Sequence, residues 1–257
     1  NSSKNWNETG KSEIQAKLGQ FLGGSGTQIL KKGYPLGGFW SYSFAGLSEE
    51  NGRPLFNLLD IPEGGADPDI DPTSFLVYSG TSEPTFTGGI NLGLRYKSFN
   101  LSSSFALLVG GKKRLLSPYA NFPYSVRIPE PDINLSRDLL KRWKKPGDEK
   151  HTNIPALVTS AINTLQTPDG TNPTWIEAWN QSDARVVDAS FFRCRQLSLS
   201  WNMTPAMCQR IGLKSLSLDA SVNNLFVIAS KRFNGFDPEL GDSVMPKMYS
   251  FGINVGF

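Results

Sequence analysis

No segment of this 257-residue chain contains the run of about 18 apolar residues that a membrane-spanning helix requires, so a helical membrane protein is excluded. The two cysteines, Cys194 and Cys208, cannot build a disulfide framework, and we expect both to be independent, small apolar residues. Nothing beside the single histidine, His151, suggests a nucleophile, so no His-based catalytic centre is expected. The net charge is +3 and the dense basic cluster Lys141-Arg-Trp-Lys-Lys145 is short, which argues against nucleic-acid binding.

Two motifs resemble ligand-binding loops but lack a residue that the chemistry needs. The acidic stretch Asp67-Pro-Asp-Ile-Asp71 begins like a calcium loop, but Pro72 replaces the required glycine and Tyr78 replaces the bidentate acid. The segment Leu22-Gly-Gly-Ser-Gly26 lacks the Gly-Lys-Ser/Thr ending of a phosphate loop. We therefore expect an exposed acidic loop and a plain connection, with no metal, no cofactor and no enzymatic activity.

What the sequence does contain favours strands and turns. It has 25 glycines, 17 prolines and 11% aromatic residues. The last nine residues alternate strictly, because small or polar residues occupy the even positions between the apolar residues Tyr249, Phe251, Ile253, Val255 and Phe257. Side chains on a strand alternate between its two faces, so one face of this strand is apolar and the other is small and polar. Bacterial outer-membrane barrels have such strands, with aromatic girdles where lipid meets water.

The same alternation predicts four further strands. Phe86 to Val109 reads as a hairpin with a tight turn at Lys97-Ser98 and arms long enough to cross a bilayer. A second pair consists of Leu197–Met203 and Leu216–Asn223, and the closing strand is Met245–Phe257. Weaker strand candidates lie at Ile14–Leu22, Leu36–Leu47 and Arg53–Leu59, the last two joined as a hairpin by Glu49-Glu-Asn-Gly52.

The connections between these strands alternate in length. Lys97-Ser98 and Thr204–Gly212 are short, whereas Gly110–Ala189 and Ser230–Val244 are long. Short periplasmic turns and long extracellular loops are the outer-membrane arrangement, and both short turns fall on the side where Phe257 ends. The polar faces would then line a wet lumen, and its predicted residues are Asn91, Arg95, Ser198, Ser200, Asp219, Asn223 and Asn254.

The long connection Gly110–Ala189 holds a predicted short helix over Asn134–Trp143, which starts with capping residues. It also holds the substrate-binding candidates Trp143, Trp175 and Trp179, whose rings could stack on sugars. Packing beneath a long loop is the alternative, because aromatic side chains mostly bury area.

Several segments, in order along the chain, are similar to the late region of SusC/RagA-type TonB-dependent transporters of Bacteroidetes outer membranes. The motifs are Gly33-Tyr-Pro-Leu-Gly37, Trp40-Ser-Tyr-Ser-Phe-Ala-Gly46, Glu50-Asn-Gly-Arg-Pro54, Val77-Tyr-Ser-Gly80, Pro84–Gly89 with Leu94–Phe99, Leu140–Asp148, Ser182–Phe191, Asn223-Asn-Leu-Phe226, Phe236-Asp-Pro-Glu239 and Tyr249-Ser-Phe-Gly252. Each motif is weak by itself, and their common order makes the resemblance specific.

The resemblance implies an all-β fold, namely the C-terminal portion of a large antiparallel transmembrane β-barrel of about 22 strands. Residues 1–257 would be that portion, and the N-terminal plug and remaining strands would be absent. The chain starts with neither Met nor an apolar leader, so we expect a fragment or a processed product. The implied function is import of large nutrients, oligosaccharides first and peptides second. The implied partners are outer-membrane lipid, a SusD-like lipoprotein, TonB through the missing plug region, and the barrel-assembly machinery.

Three expectations follow. The terminal residues Tyr249 to Phe257 would be the signal for barrel insertion. The isolated chain would not be a stable soluble monomer, because it leaves two bare sheet edges and an apolar band in water. The rival functions are a secreted β-sandwich that binds glycans, which requires Phe251, Ile253 and Val255 to face a second sheet, and a passive porin without a plug.

Overall fold

The computed structural model describes residues 18–23, 32–35, 37–61, 63–119, 135–157, 164–241 and 243–257. Within these ranges no helix is both long and apolar enough to cross a membrane. The chain divides into two compact units. The sheet unit comprises residues 83–111 and 188–257, and the loop unit comprises residues 1–82 and 112–187.

Eleven strands are present in the described part of the chain. They are β1 Gly38–Tyr42, β2 Phe44–Leu47, β3 Pro54–Phe56, β4 Leu76–Thr81, β5 Phe86–Tyr96, β6 Phe99–Val109, β7 Lys112–Arg114, β8 Val186–Asp188, β9 Phe191–Asn202, β10 Ser215–Ala229 and β11 Met248–Gly256. The α-helices are α1 (18–23), α2 Trp175–Asn180 and α3 Pro205–Arg210. Short 3-10 helices cover Pro72–Ser74, Arg137–Lys141, Asp148–Lys150, Asp183–Arg185 and Lys231–Phe233.

The sheet unit is one antiparallel sheet with the order β11-β10-β9-β6-β5. All five strands predicted from alternation are confirmed, although β9 starts earlier, β10 ends later and β11 starts later than predicted. Nearest-neighbour pairing in sequence order is what short connections favour. Within the described residues β5 and β11 are the two edges, and no strand closes the sheet into a ring.

Both short connections and the C-terminus lie at one end of this sheet. Asn202 N donates to Ser98 O at 2.9 Å, which places the end of β9 beside the β5–β6 turn. Lys214 N donates to Gly256 O at 2.8 Å, which places the start of β10 beside the end of β11. The predicted separation of short turns from long connections is therefore confirmed.

A β-bulge in β9 keeps the apolar residues on one face. The register runs from Phe105↔Cys194 to Ser104↔Gln196, so Arg195 is an extra residue without its own partner on β6. Apolar residues in β9 accordingly change from even positions (Phe192, Cys194) to odd positions (Leu197, Leu199, Trp201). Without the extra residue the second half of β9 would turn its apolar side chains to the opposite face.

The loop unit contains three two-stranded sheets, β1-β4, β2-β3 and β7-β8. The predicted hairpin between Leu36–Leu47 and Arg53–Leu59 is confirmed for β2 and β3, which pair with each other. Strand β1, within the same predicted strand, pairs with β4 instead, and Leu36 lies outside the described residues. The predicted strand over Ile14–Leu22 is wrong for residues 18–22, which are helical, and residues 14–17 lie outside the described ranges. The reason is spacing: Leu18, Phe21 and Leu22 share one helical face, and this face packs into a cluster with Trp40 and Tyr42.

The predicted helix over Asn134–Trp143 is observed as the 3-10 helix Arg137–Lys141, and Asn134 lies outside the described residues. Ser136 caps it by accepting a hydrogen bond from Asp138 N. The cysteines are free and buried as predicted, Cys194 on β9 and Cys208 on α3.

Arg114 fixes the core of the loop unit. Its guanidinium donates to the backbone carbonyls of Leu22 and Trp40 and to Ser41 Oγ, and it lies 5.2 Å from the Phe39 ring centroid. Burial lowers the pKa of this guanidinium to about 10. Because this cation joins α1 to β1, we expect it to set how the two elements pack.

Candidate functional site

The two faces of the five-stranded sheet differ in chemistry. One face carries apolar side chains that are exposed, including Phe251 at 84%, Ile253 at 70% and Leu94 at 65% of their full accessible area. Aromatic rings continue this face across strands, since Phe105 stacks on Phe192 at 5.3 Å and Phe192 lies 6.3 Å from Phe226. An exposed apolar surface of this extent on a soluble protein would mark an interaction site. On a barrel it is the surface that contacts lipid.

The opposite face is small and polar, and its side chains bond across strands. Ser102 and Ser198 share a hydrogen bond of 2.7 Å between their Oγ atoms. Asn254 Nδ2 donates to Asp219 Oδ2 at 3.1 Å. The register places all seven predicted lumen residues on this face, namely Asn91, Arg95, Ser198, Ser200, Asp219, Asn223 and Asn254. Their contact with a water-filled lumen stays a prediction.

A buried ion pair anchors the connection 230–247 to the sheet. Arg193 Nη2 lies 2.7 Å from Asp237 Oδ2, and both side chains are 3% exposed. Arg193 Nη2 also lies 2.8 Å from Glu239 Oε2, and its guanidinium packs 5.0 Å from the Phe191 ring centroid. Asp237 Oδ1 in turn accepts the backbone N–H of Glu239 at 2.9 Å. The guanidinium therefore serves two carboxylates, and charge-assisted bonds of this kind are strong when water is excluded.

A cleft of about 540 Å³ opens on the polar side of the sheet, at the end away from the short turns. Its lining includes Asn91, Ser104, Arg195 and Glu239. The β-bulge of β9 supplies Arg195 to this lining. A volume of this size lies in the range of small-molecule sites.

The five residues of the predicted insertion signal share one face of the chain end. Tyr249, Phe251, Ile253 and Val255 alternate along β11, and all are exposed, as is Phe257 just after the strand. The β-sandwich alternative required a second sheet over these side chains. Their exposure argues against that alternative.

The three candidate tryptophans lie in the loop unit and are buried. Trp179 is 1% exposed, and its Nε1 donates to Asn153 O at 2.9 Å. Trp175 belongs to the same apolar cluster as Trp179, and Trp143 packs with Leu47. This burial supports the packing alternative, and contact between these rings and a substrate stays a prediction.

The acidic stretch 67–71 is mostly exposed, as predicted, and its carboxylates serve turns. Asp67 Oδ1 accepts Asp69 N at 3.0 Å, and Asp71 caps the 3-10 helix Pro72–Ser74 by accepting Thr73 N. In the described ranges no group of three His, Cys, Asp or Glu side chains could hold a metal ion.

Sequence reasoning missed Arg193, Arg195 and Asp237. The signal for Arg195 was present, because the change from even to odd apolar positions between Cys194 and Leu197 marks the bulge. The Arg193–Asp237 pair joins residues 44 positions apart, and no local pattern could reveal it.

The sequence of this chain was compared with those of known proteins and families. No protein-family model matches the chain. TonB-dependent receptor P3 of Formosa agariphila is 25% identical over an alignment of 235 positions that covers 88% of this chain and 21% of that receptor. The chain is similar to TonB-dependent receptors. The resemblance found in the sequence is thus confirmed, and this chain spans about a fifth of the curated receptor's length.

Solved structures show the same fold. The RagAB peptide importer in the open-open state matches 91% of this chain and 23% of its own, with a TM-score of 0.57 and 23% identity. The closed-closed state matches 89% and 24%, with a TM-score of 0.58 and 23% identity. A further structure, the RagAB peptide transporter, matches 91% and 24%, with a TM-score of 0.59 and 22% identity. The antiparallel sheet and the similarity to these solved structures therefore confirm the predicted class, an antiparallel all-β barrel fold.

Proposed function

We propose that this chain is the C-terminal part of the barrel of a TonB-dependent importer in the bacterial outer membrane. The single observation that supports this best is the sheet whose apolar face is exposed while its polar face is hydrogen-bonded across strands. A water-soluble sheet places its apolar face against a second layer, whereas a lipid-facing sheet does not. The protein acts by binding and passage and not by chemistry.

The transported molecules in this proposal are large nutrients, with oligosaccharides as the first candidate and peptides as the second. The sequence resemblance favours oligosaccharides, whereas the solved structures of similar fold belong to a peptide importer. A SusD-like lipoprotein covers the barrel, TonB acts through a plug outside these residues, and the barrel-assembly machinery recognises Tyr249 to Phe257. The connections 110–189 and 230–244 face the outside and contact the substrate and the lipoprotein.

A gene deletion in the bacterium that encodes this chain tests the proposal. The strain without the full-length receptor should lose growth on one defined mixture, either oligosaccharides or peptides, as the sole carbon source. A strain without TonB should show the same loss, and a plasmid copy of the receptor should restore growth only when TonB is present. Growth that needs the receptor but not TonB would favour the passive porin. Unchanged growth on both mixtures would contradict import.

A further inference from the structure

The cleft on the polar side of the sheet is lined in part by Arg195, whose side chain is exposed. No hydrogen bond or ion pair engages the Arg195 guanidinium among the residues that the structure describes. Its neighbour on the same face, Arg193, is instead buried and held by Asp237 and Glu239. An arginine that is exposed and unpaired inside a cleft retains all five of its N–H donors for a ligand.

The remaining lining of the cleft is suited to an anion beside Arg195. Asn91, Thr87 and Ser104 offer an amide and two hydroxyl groups as further donors. Gly89 leaves open space, since a Cβ at this position would meet only Phe105 O at 3.7 Å. The acidic group in the lining, Glu239, is engaged by Arg193 at 2.8 Å. A ligand carboxylate can therefore pair with Arg195 while Glu239 accepts from a neighbouring N–H or O–H of the same ligand.

The β-bulge of β9 places Arg195 in the lining of the cleft. Arg195 and Gln196 together oppose the single residue Ser104, so β9 bends at this point. Bulges often direct a side chain at a functional site, and here the side chain is an arginine in a cleft of 540 Å³. A planar guanidinium binds a carboxylate through two parallel hydrogen bonds, which a lysine cannot do.

We propose that this cleft is a subsite for a carboxylate of the transported molecule, with Arg195 as its principal ligand-binding residue. The inference rests on the proposed import function and adds the substrate chemistry. A carboxylate flanked by N–H or O–H groups occurs in a peptide and in a uronic-acid oligosaccharide. Both sources supply the carboxylate that Arg195 would bind, and the experiment distinguishes them.

The test uses the full-length receptor with its lipoprotein, purified in detergent. One probe is a partial casein hydrolysate before and after methyl esterification of its carboxylates, and the other is a galacturonic-acid oligosaccharide mixture treated likewise. Mass spectrometry measures the ratio of free acid to ester that the complex retains. We expect a ratio of about ten or more for at least one probe, since a hydrogen bond to a charged group contributes that much to affinity.

Three variants localise the effect. Arg195→Gln should reduce the ratio below about two, and Arg195→Lys should leave an intermediate ratio because it keeps the charge without the two-pronged geometry. Lys214→Gln removes an exposed cation at the short-turn end and should leave the ratio unchanged. If the complex prefers free acids over esters only with the casein hydrolysate, the ligand is a peptide. If it does so only with the galacturonic-acid oligosaccharides, the ligand is an acidic sugar. A preference with both probes means that the subsite recognises the carboxylate in either class of molecule.

The inference is overturned if the wild-type complex retains acids and esters equally, retains neither probe, or keeps its ratio in Arg195→Gln. It is also overturned if Arg195→Gln lowers the melting temperature of the ligand-free receptor by several degrees, because Arg195 then pairs within the protein. These outcomes differ from failure of import itself, which appears as unchanged growth of the deletion strain.

Discussion

The two units of this chain place their apolar residues in opposite ways. The loop unit buries its large aromatics in clusters, such as Trp40 with Tyr42 and Trp175 with Trp179. In the sheet unit many large apolar side chains of the strands are exposed, such as Leu94 and Phe251. All hydrophobic core clusters of the described residues lie in the loop unit. One unit carries its own core, whereas the other leaves an apolar face exposed, which fits the lipid-facing barrel wall that we propose.

Under the proposed function, this contrast reflects the different surroundings of the two units. Water outside requires a closed interior, and the loop unit has one. Hydrocarbon outside allows apolar residues to remain at the surface, provided that the backbone is hydrogen-bonded between strands. The polar cross-strand bonds of the sheet unit, such as Ser102 to Ser198, then lie on the water-facing side.

The largest expected effect comes from charging the apolar face at its C-terminal strand. Phe251→Asp with Phe257→Asp in the full-length receptor should abolish assembly into the outer membrane, because charged side chains at lipid-facing positions destabilise a barrel and this variant places two of them on one strand end. Fractionation of membranes and heat-dependent mobility on gels measure assembly. Ser250→Asp is the matched control, since it adds a charge to the opposite face of the same strand. Normal insertion of the double variant would refute the contrast between the faces.

A smaller effect should follow from opening the core of the loop unit. Trp179→Ala removes a ring that is 1% exposed and should destabilise this unit by about 3–5 kcal/mol. The heat-modifiable band should persist, while protease cleavage between residues 135 and 157 should increase. Leu140→Ala, at a residue 67% exposed, provides the control and should change neither readout. Loss of membrane assembly in Trp179→Ala would show that the two units do not behave independently.

The smallest of the three effects should come from the connection 230–247. Asp237→Asn leaves the buried Arg193 guanidinium with a weaker partner and should cost about 3 kcal/mol locally. Hydrogen exchange of residues 236–241 in the full-length receptor should accelerate, with assembly unchanged. Glu239→Gln should have a lesser effect, because Glu239 is 36% exposed. Equal exchange in all three proteins would mean that the ion pair does not anchor this connection.

The sequence predicted the sheet unit well because its signal is local. Alternation with period two indicates which side chains share a face. From it follow the five predicted strands, the positions of the short turns between them and the shared face of the exposed residues of β11. The polar set from Asn91 to Asn254 came from the same pattern. Alternation marks the bulge at Arg195 by the change from even to odd apolar positions, but which residue of β6 lies opposite the bulge is known only once the two strands are aligned.

The loop unit was predicted poorly for the corresponding physical reason. Its structure depends on tertiary contacts, such as Arg114 with the carbonyls of Leu22 and Trp40, and on strand β4 pairing with β1 across 33 intervening residues. The segment 18–22 was misread because three apolar residues in five positions fit a strand or a helix until their packing is known. The tryptophans were located correctly in a long connection, but sequence could not distinguish a buried ring from one open to a ligand.

The extra residue at position 195 limits which insertions and deletions β9 can accept during evolution. Within β9, replacing one side chain by another leaves every other residue facing as before. Deleting a single residue of β9 moves every side chain on one side of the deletion to the opposite face of the sheet. In the proposed barrel, apolar side chains such as Leu199 would then face the lumen, and serines would face lipid. Tolerated insertions and deletions in β9 should therefore involve two residues at a time, or be confined to the loops between strands.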